Sequence, residues 1–299
     1  MIFATADRSR PAPPVLPETR FTALDAAALG LAGPRASHLE AEPREPTAQP
    51  PLLLLHGIGS NATGWRYLLD EMAATRRVIA WNAPGYWLSD GFIADAPRIE
   101  DFADAAAALL TALGIARAEV AGSSFGGLVA AGLTARHPDR VTRLTLLGAS
   151  AGFRPKPAEE RARILAMRAE SIAAGGMALA AGRWQRLVAA DTAPEVVALL
   201  QRTLAATHPR GMMQAARAID SADLITDFAP HITAPTLVAC GSEDLVNPVP
   251  VSEAIAAAIA GARLIVLPGV GHISKLEAPR ALAALLRGAE GSCNAAGLM

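Results

Sequence analysis

The sequence has few of the residues that define several classes of protein. Cysteine occurs only at Cys240 and Cys293, and no Cys/His cluster has the spacing of a zinc site, which argues against a disulfide framework and structural zinc. Lysine also occurs only twice, at Lys156 and Lys275, and a net charge of −1 offers no basic surplus that would bind nucleic acid. Aromatic residues make up 4% of the 299 residues and hydrophobic residues 52%, so we expect a large, mostly aliphatic core.

Long hydrophobic segments are also absent from the sequence. No run approaches the length of a transmembrane helix. The N-terminal segment reaches Arg8 and Arg10 soon after Met1, and it has no apolar stretch typical of a signal peptide. We therefore expect a soluble, cytoplasmic protein without a membrane span. The sequence predicts no metal and no other cofactor, and it leaves the oligomeric state open.

Among the residues that are present, Gly122-Ser123-Ser124-Phe125-Gly126 is the most informative motif. It follows an apolar run at 118–121 that predicts a strand, and it precedes a second run at 128–135 that predicts a helix. A G-x-S-x-G sequence between a strand and a helix is typical of a nucleophile elbow, a sharp turn that presents a serine hydroxyl above a sheet. A plain Gly/Ser turn is the alternative. We predict that Ser124 is a covalent nucleophile.

Predicted strands and helices alternate along most of the chain, which is the pattern of a mostly parallel sheet flanked by helices on both faces. The strands are predicted at 52–55, 77–81, 118–121, 141–147, 234–240 and 262–267, and the helices at 64–74, 101–113, 128–135, 249–260 and 277–287. We assign residues 21–152 and 231–287 to this α/β core. Residues 153–230 are predicted to form an all-helical cap over the edge of the sheet where ligands bind. Residues 1–20 are predicted to form a flexible arm, and 288–299 a flexible tail.

A serine nucleophile needs a base, and the base needs a group that orients it, in the chain order serine, acid, histidine. Asp244 follows the apolar strand Pro235 to Cys240, and Glu243 is its local rival. His272 follows the strand that ends at Leu267 and a Gly-rich turn. The sequence therefore predicts a catalytic triad of Ser124, Asp244 and His272.

The tetrahedral intermediate of acyl transfer also needs hydrogen-bond donors for its negatively charged oxygen. The backbone N–H of Phe125, directly after the nucleophile, is expected to supply one donor. The second is expected from the loop His56-Gly57-Ile58-Gly59-Ser60 that follows an apolar strand. We choose the N–H of Ile58, with Gly59 as the alternative.

Taken together, these residues resemble the α/β-hydrolase superfamily across roughly residues 36–287. The strings that carry the resemblance are Leu55-His56-Gly57-Ile58-Gly59, Trp81-Asn82-Ala83-Pro84-Gly85-Tyr86, Gly122-Ser123-Ser124-Phe125-Gly126-Gly127, Gly241-Ser242-Glu243-Asp244 and Gly271-His272 with Glu277 and Pro279. The cap is similar to that of the enol-lactonase and esterase branch. The resemblance implies the α/β-hydrolase fold and a serine hydrolase that cleaves a small-molecule carboxylic ester or lactone.

Two alternatives to this function stay open. Cofactor-free C–C bond hydrolases share the architecture, but they usually carry Asn before the nucleophile and Trp after the catalytic histidine, where this chain has Ser123 and Ile273. A protein that kept the fold and lost turnover would bind a small ligand without hydrolysing it. The triad positions, all filled, argue against such a binding module.

The substrate pocket is expected to be aliphatic and to lie beneath the cap. We assign to it His56, Gly57, Trp87, Trp184 and Ile273, and we expect His56 also to order its own loop. Trp87 could narrow the pocket or serve packing alone. An inward-facing cap arginine could hold a substrate carboxylate, although a solvated helix face is the simpler role for those arginines.

Overall fold

The computed structural model describes residues 2–3, 8 and 11–288. Its strands are β1 (Ile2–Phe3), β2 (Thr19–Ala23), β3 (Arg35–Ala41), β4 (Leu52–Leu55), β5 (Val78–Trp81), β6 (Ala118–Ser123), β7 (Val141–Leu147), β8 (Thr236–Gly241) and β9 (Arg263–Leu267). Its helices are α1 (Ala26–Leu29), α2 (Arg66–Met72), α3 (Ile99–Ala112), α4 (Phe125–Arg136), α5 (Ala158–Ala173), α6 (Gly176–Arg183), α7 (Pro194–Ala205), α8 (Pro209–Ser221), α9 (Leu224–Asp227), α10 (Val249–Ala258), α11 (Ser274–Glu277) and α12 (Pro279–Leu286). Short 3₁₀ turns occupy Ala62–Trp65, Pro138–Arg140, Trp184–Arg186 and Ala229–His231.

The described strands form one sheet in the order β1-β9-β8-β7-β6-β4-β5-β3-β2. Every neighbouring pair from β1 to β5 is parallel, whereas β3 runs antiparallel to both β5 and β2. From β4 the chain adds β5 on one side, and from β6 it adds β7, β8 and β9 on the other side. The loops that follow the adjacent parallel strands β4 and β6 therefore lie next to each other at the same edge of the sheet. The predicted α/β-hydrolase fold with its mostly parallel sheet is confirmed.

Helices cover both faces of the sheet because the central strands are apolar on both sides. In β4, Leu53 and Leu55 pack into a cluster with α3, α4 and α10, while Leu52 and Leu54 pack into a second cluster with α2 and α12. Alternate side chains of a strand point to opposite faces, so a run of four leucines is buried on both. This burial explains why the strand at 52–55 could be located from composition alone.

Between β7 and β8 lies an insertion that is helical from α5 to α9. It rejoins the sheet at an isolated bridge between Gly152 and Asp223, where the Asp223 carboxylate also caps α9 by accepting from Ile225 N–H at 3.1 Å. Arg161 on α5 forms an ion pair with Asp220 on α8 at 2.6 Å, which ties the two longest helices of the insertion together. Within the described ranges, every helix is too short or too polar to span a bilayer.

The structure adds strands near the N-terminal end of the chain that were not predicted. These are β2 and β3, and the first two residues of β2, Thr19 and Arg20, fall in the region expected to be a flexible arm. β1 pairs in parallel with β9, and Arg8 forms an ion pair with Asp191 at 2.8 Å, so parts of that arm contact the core and the insertion. Residues 289–299 of the expected tail lie outside the described residues.

Candidate active site

Ser124 occupies the turn between β6 and α4 with a backbone φ of 56° and ψ of −117°. A side chain rarely adopts this region, and such strain is concentrated at functional sites. The flanking glycines make the turn possible, because a Cβ on Gly122 would overlap the Gly126 carbonyl and a Cβ on Gly126 would overlap that of Leu55. The motif therefore forms the sharp strand-to-helix turn that the sequence predicted.

His272 and Asp244 come from the loops after β9 and β8, and they meet at the same edge of the sheet. The Nδ1 of His272 lies 2.7 Å from Oδ2 of Asp244. The other carboxylate oxygen of Asp244 accepts from the backbone N–H groups of Val246 and Asn247, both at 2.8 Å. The Asp244 side chain is fully buried, whereas Glu243 is exposed. Of the two adjacent acids, the structure brings Asp244 to the histidine.

The contact with Asp244 determines which nitrogen of His272 is left without an acidic partner. When Nδ1–H donates to Asp244, Nε2 is left as the acceptor, which is the tautomer a general base requires. Ser124 and His272 line one cavity with a volume of about 100 Å³. Gly148, with a φ of 49°, lets the pair approach the end of β7, since a Cβ there would lie 2.9 Å from Oδ2 of Asp244.

The loop after β4 borders the same cavity and presents its backbone toward it. Ile58 and Gly59 occupy the centre of a turn that Ser60 N–H closes onto the Gly57 carbonyl at 3.1 Å, so neither central N–H is used by that turn. The hydroxyl of Tyr86 donates to the Ile58 carbonyl at 2.9 Å and fixes the loop from behind. As the first residue of α4, Phe125 has an N–H that no carbonyl of its own helix can accept.

His56 supports this loop and does not line the cavity. Burial lowers the pKa of the His56 imidazole to about 3, so the ring is neutral at physiological pH. Its Nε2 accepts from Ala83 N–H at 3.1 Å, and its Nδ1 donates to the Gly57 carbonyl at 2.9 Å. The histidine therefore orders its own loop, and its expected place in the substrate pocket is corrected.

Two other expected pocket residues also lie elsewhere, while Gly57 and Ile273 do line the cavity. Trp87 is 42% exposed, with a φ of 51°, on the outer side of the loop after β5. Trp184 packs against a hydrophobic cluster of the insertion that includes Val188 and Leu200. These two tryptophans therefore take up a surface position and a packing position.

The remaining cavity wall was not predicted residue by residue. Its roof comes mainly from the insertion and is apolar except for Arg168, one of the cap arginines, and its floor is polar. The additional lining residues are Ser60, Ser123, Ser150, Phe153, Arg168, Leu187, Leu200, Leu204, Ile219, Val246, Asn247 and Lys275. The amphipathic pattern of α7 and α8 was the available signal for the roof, because their buried faces include Leu200, Leu204 and Ile219. A second cavity of about 630 Å³ shares part of this wall beneath α5 and α6.

Glu277 is a buried carboxylate that joins the insertion to the histidine loop. One of its oxygens accepts from Ala189 N–H and the Thr192 hydroxyl, both at 2.8 Å, and from Gly271 N–H at 3.2 Å. Gly271 immediately precedes His272, so this carboxylate anchors the backbone that carries the imidazole. Across the described ranges, no three His, Cys, Asp or Glu side chains are grouped as metal ligands.

Comparison with known families agrees with the fold and the position of the site. Residues 50–279 match the family described as alpha/beta hydrolase fold. This match spans most of the chain, and it includes the elbow, both partner loops and the loop after β4. The protein belongs to the alpha/beta hydrolase family.

Relatives found by comparing sequences and structures are named as hydrolases, an esterase and an enol-lactonase. The chain is 32% identical to a 2-hydroxymuconate semialdehyde hydrolase of Pseudomonas sp. strain CF600, over 79% of this chain and 85% of the relative. It is 30% identical to a pimeloyl-[acyl-carrier protein] methyl ester esterase of Neisseria meningitidis, over 81% and 93%. Among solved structures, it resembles the enol-lactonase from Burkholderia xenovorans LB400 with a TM-score of 0.77 and 27% identity, over 90% and 98% of the two chains.

Proposed function

We propose that the protein is a serine hydrolase that cleaves a carboxylic ester or lactone through an acyl-enzyme. One observation carries the proposal: Ser124, on a strained elbow, shares a cavity with His272, whose ring is hydrogen-bonded to the buried Asp244. A serine hydroxyl is a weak nucleophile alone, and this pairing of base and orienting acid is what activates it.

In the proposed reaction, the hydroxyl oxygen of Ser124 attacks the carbonyl carbon of the substrate and its proton passes to Nε2 of His272. Asp244 holds the ring in place and stabilises the imidazolium that forms. The tetrahedral intermediate collapses as His272 protonates the departing alcohol oxygen, which leaves the acyl group on Ser124. Water then attacks the acyl-enzyme by the same route, giving the carboxylic acid and the free serine.

The oxyanion of each tetrahedral intermediate is proposed to bind to the backbone N–H groups of Phe125 and Ile58. The first lies at the N-terminus of α4, where the helix dipole also favours negative charge. The second lies in a loop that Tyr86 and the neutral His56 fix from behind. Donors that are already positioned lose little free energy to reorganisation during the reaction, which is why they are effective.

We propose that the helical insertion acts as the cap and selects the substrate. Leu200, Leu204 and Ile219 of its helices form an apolar roof over the nucleophile. The cavity next to Ser124 is small, and the larger one beyond it lies beneath α5 and α6. These volumes favour a short or medium acyl group near the serine, with further substrate atoms extending outward.

C–C bond hydrolysis is the second candidate, and one relative favours it. A 2-hydroxymuconate semialdehyde contains no ester bond, so a hydrolase named for it breaks a bond between carbons. The positions that resemble that chemistry least are Ser123 and Ile273, which flank the nucleophile and the base. The esterase and enol-lactonase relatives support the ester proposal instead.

A panel of p-nitrophenyl esters of increasing chain length tests the proposal, with enol-lactones and 2-hydroxymuconate semialdehyde assayed in parallel. We expect ester or lactone turnover that falls by at least about 10³-fold in Ser124→Ala, because the covalent step is removed. Thermal unfolding of the variant checks that the fold is intact. Turnover of the semialdehyde alone would select the C–C reaction, and turnover of none of these compounds would reject hydrolysis by this site.

A further inference from the structure

Lys275 is a cationic side chain in the candidate active site to which the proposed reaction gives no role. It lies on α11, three residues after His272, and it lines the same cavity as Ser124. The residue is only 4% exposed. It is one of two lysines in the chain, so its position inside the protein is not part of a general lysine-rich surface.

The ammonium group of Lys275 is incompletely compensated within the described part of the chain. Its one hydrogen bond there is to the hydroxyl of Ser123, at 3.2 Å, and its Nζ lies 4.7 Å from the centre of the Trp65 ring. No carboxylate of the described residues lies within ion-pair distance of it. A buried ammonium can donate three hydrogen bonds, and burial without an anion penalises its charge. Consistent with this, burial lowers the pKa of Lys275 to about 7.

The cavity around Lys275 is suited to a negatively charged group. Its described lining contains Arg168 and His272 in addition to Lys275, and it contains no aspartate or glutamate. The hydroxyl of Ser123 and that of Ser60, which lies with Lys275 against Gly64, add polar atoms to the same part of the floor. Leucine and isoleucine side chains of the insertion line much of the remaining wall, so the cavity would hold an anionic end and a hydrocarbon segment of one molecule.

We propose that Lys275, together with Ser123, forms an anion subsite that binds a carboxylate carried by the ester or lactone substrate. This inference rests on the proposed hydrolase function, and it adds a substrate class to it: acidic esters and lactones. Ser123 directly precedes the nucleophile, so the carboxylate would lie a few bonds from the scissile carbonyl. The ammonium gains an anionic partner that the described residues do not provide.

Matched ester pairs test the subsite through its effect on specificity. In the first pair, mono-p-nitrophenyl glutarate carries a carboxylate on its acyl side and p-nitrophenyl pentanoate is its neutral counterpart. In the second pair, 3-acetoxypropanoate carries the carboxylate on its alcohol side and propyl acetate is the neutral counterpart. We expect wild type to prefer the charged member of one pair. In Lys275→Met the ratio of kcat/KM for charged to neutral ester should fall roughly tenfold or more, through KM, because a charge-assisted hydrogen bond is lost.

Three further variants make the specificity measurement decisive. Arg163→Met removes an exposed cation of α5 that lines neither the cavity of Ser124 nor the larger one beside it, and it should leave the ratio unchanged. If Lys275→Met still prefers the charged ester as wild type does, the proposal is overturned. It is also overturned if the preference for the charged ester is lost in Arg168→Met but kept in Lys275→Met. Lys275→Gln and thermal unfolding guard against a folding defect, which would lower activity on both members of a pair alike.

A binding measurement separates failure of the subsite from failure of the hydrolase proposal. Monomethyl glutarate is titrated by calorimetry into Ser124→Ala and into the double variant Ser124→Ala/Lys275→Met. We expect Kd to rise about tenfold or more in the double variant. Equal Kd values, or no binding to either protein, would overturn the anion subsite even if neutral esters are hydrolysed. Charge-dependent binding in a protein that hydrolyses no ester would instead reject only the hydrolase function.

Discussion

At the residue scale, the adjacent acids Glu243 and Asp244 show how surroundings select one of two similar groups. Asp244 is buried and accepts hydrogen bonds from two backbone N–H groups and from His272, whereas Glu243 faces solvent. The sequence could place both acids at the end of β8, but only the turn that follows determines which carboxylate points inward. The choice of Asp244 over Glu243 as the orienting acid remains a prediction about catalysis.

Asp244→Asn is expected to lower kcat/KM for a p-nitrophenyl ester by about 10²–10⁴-fold, because an amide can favour the wrong tautomer of His272. The neighbouring substitution Glu243→Gln is the matched control, and it should remain close to wild type. Steady-state kinetics of both variants at neutral pH make the comparison. A large loss in Glu243→Gln with a small one in Asp244→Asn would transfer the role to Glu243.

The burial of Lys275 could not be predicted from the sequence. Its position after the predicted base was visible in the sequence, yet a lysine near the end of a loop has no pattern that predicts burial. Its surroundings include Ser123 at the end of β6 and Trp65 in a 3₁₀ turn, both of which are distant along the chain. The same holds for His56, which the sequence placed correctly in its loop but whose ring turns toward Ala83 and away from the cavity.

At the element scale, the strands that could be predicted are those whose own residues favour a strand. The strands β4 and β7 were predicted with the bounds found in the structure, because β4 is a run of four leucines and β7 is rich in leucine and β-branched residues. β2 and β3 were missed for different reasons. Thr19–Ala23 is half-exposed at the sheet edge, and Arg35–Ala41 contains three polar residues, Ser37, His38 and Glu40, that only tertiary contacts bury. Edge strands are specified by their neighbours more than by their own hydrophobicity.

Glycine substitutions in two helices test the packing of the elbow. Gly126→Ala on α4 should destabilise the protein by about 3 kcal/mol or more, since the new Cβ would overlap the Leu55 carbonyl. Gly182→Ala on α6 is the control, because no atom lies within 4 Å of the Cβ it would add, and it should stabilise by roughly 0.5–1 kcal/mol. Urea unfolding of both variants measures the difference. Similar stabilities for the two proteins would contradict the close approach of α4 to β4.

At the scale of the whole molecule, a cluster of charged side chains near the edge of the sheet makes the free energy of unfolding depend on pH. Glu40 on β3 contacts Arg77, and it accepts from Arg20 at 2.8 Å. Burial alone would raise the pKa of its carboxyl, but contacts with His38 and Arg77 outweigh this and lower the pKa to about 2. A lowered pKa stabilises the folded state above the ordinary value of about 4.5, and this contribution disappears as the pH falls toward 2.

Glu40→Gln should therefore lower the free energy of unfolding at pH 7 by roughly 2–3 kcal/mol, and the difference from wild type should shrink at pH 3. Urea unfolding at the two pH values provides the measurement. Glu42→Gln is the control, because Glu42 lies two residues further along, exposed, and contacts Arg20 only at 3.7 Å. An equal difference between wild type and Glu40→Gln at both pH values would show that the carboxyl is not responsible.

The shared anchor at Glu277 has a consequence for the working cycle of the molecule. Because one carboxylate oxygen holds both the insertion, through Ala189 and Thr192, and the backbone before His272, the two cannot separate independently. An outward displacement of this part of the insertion would therefore also pull on the backbone before His272. We expect any opening of the cavity to be coupled, through this one carboxylate, to the position of the imidazole.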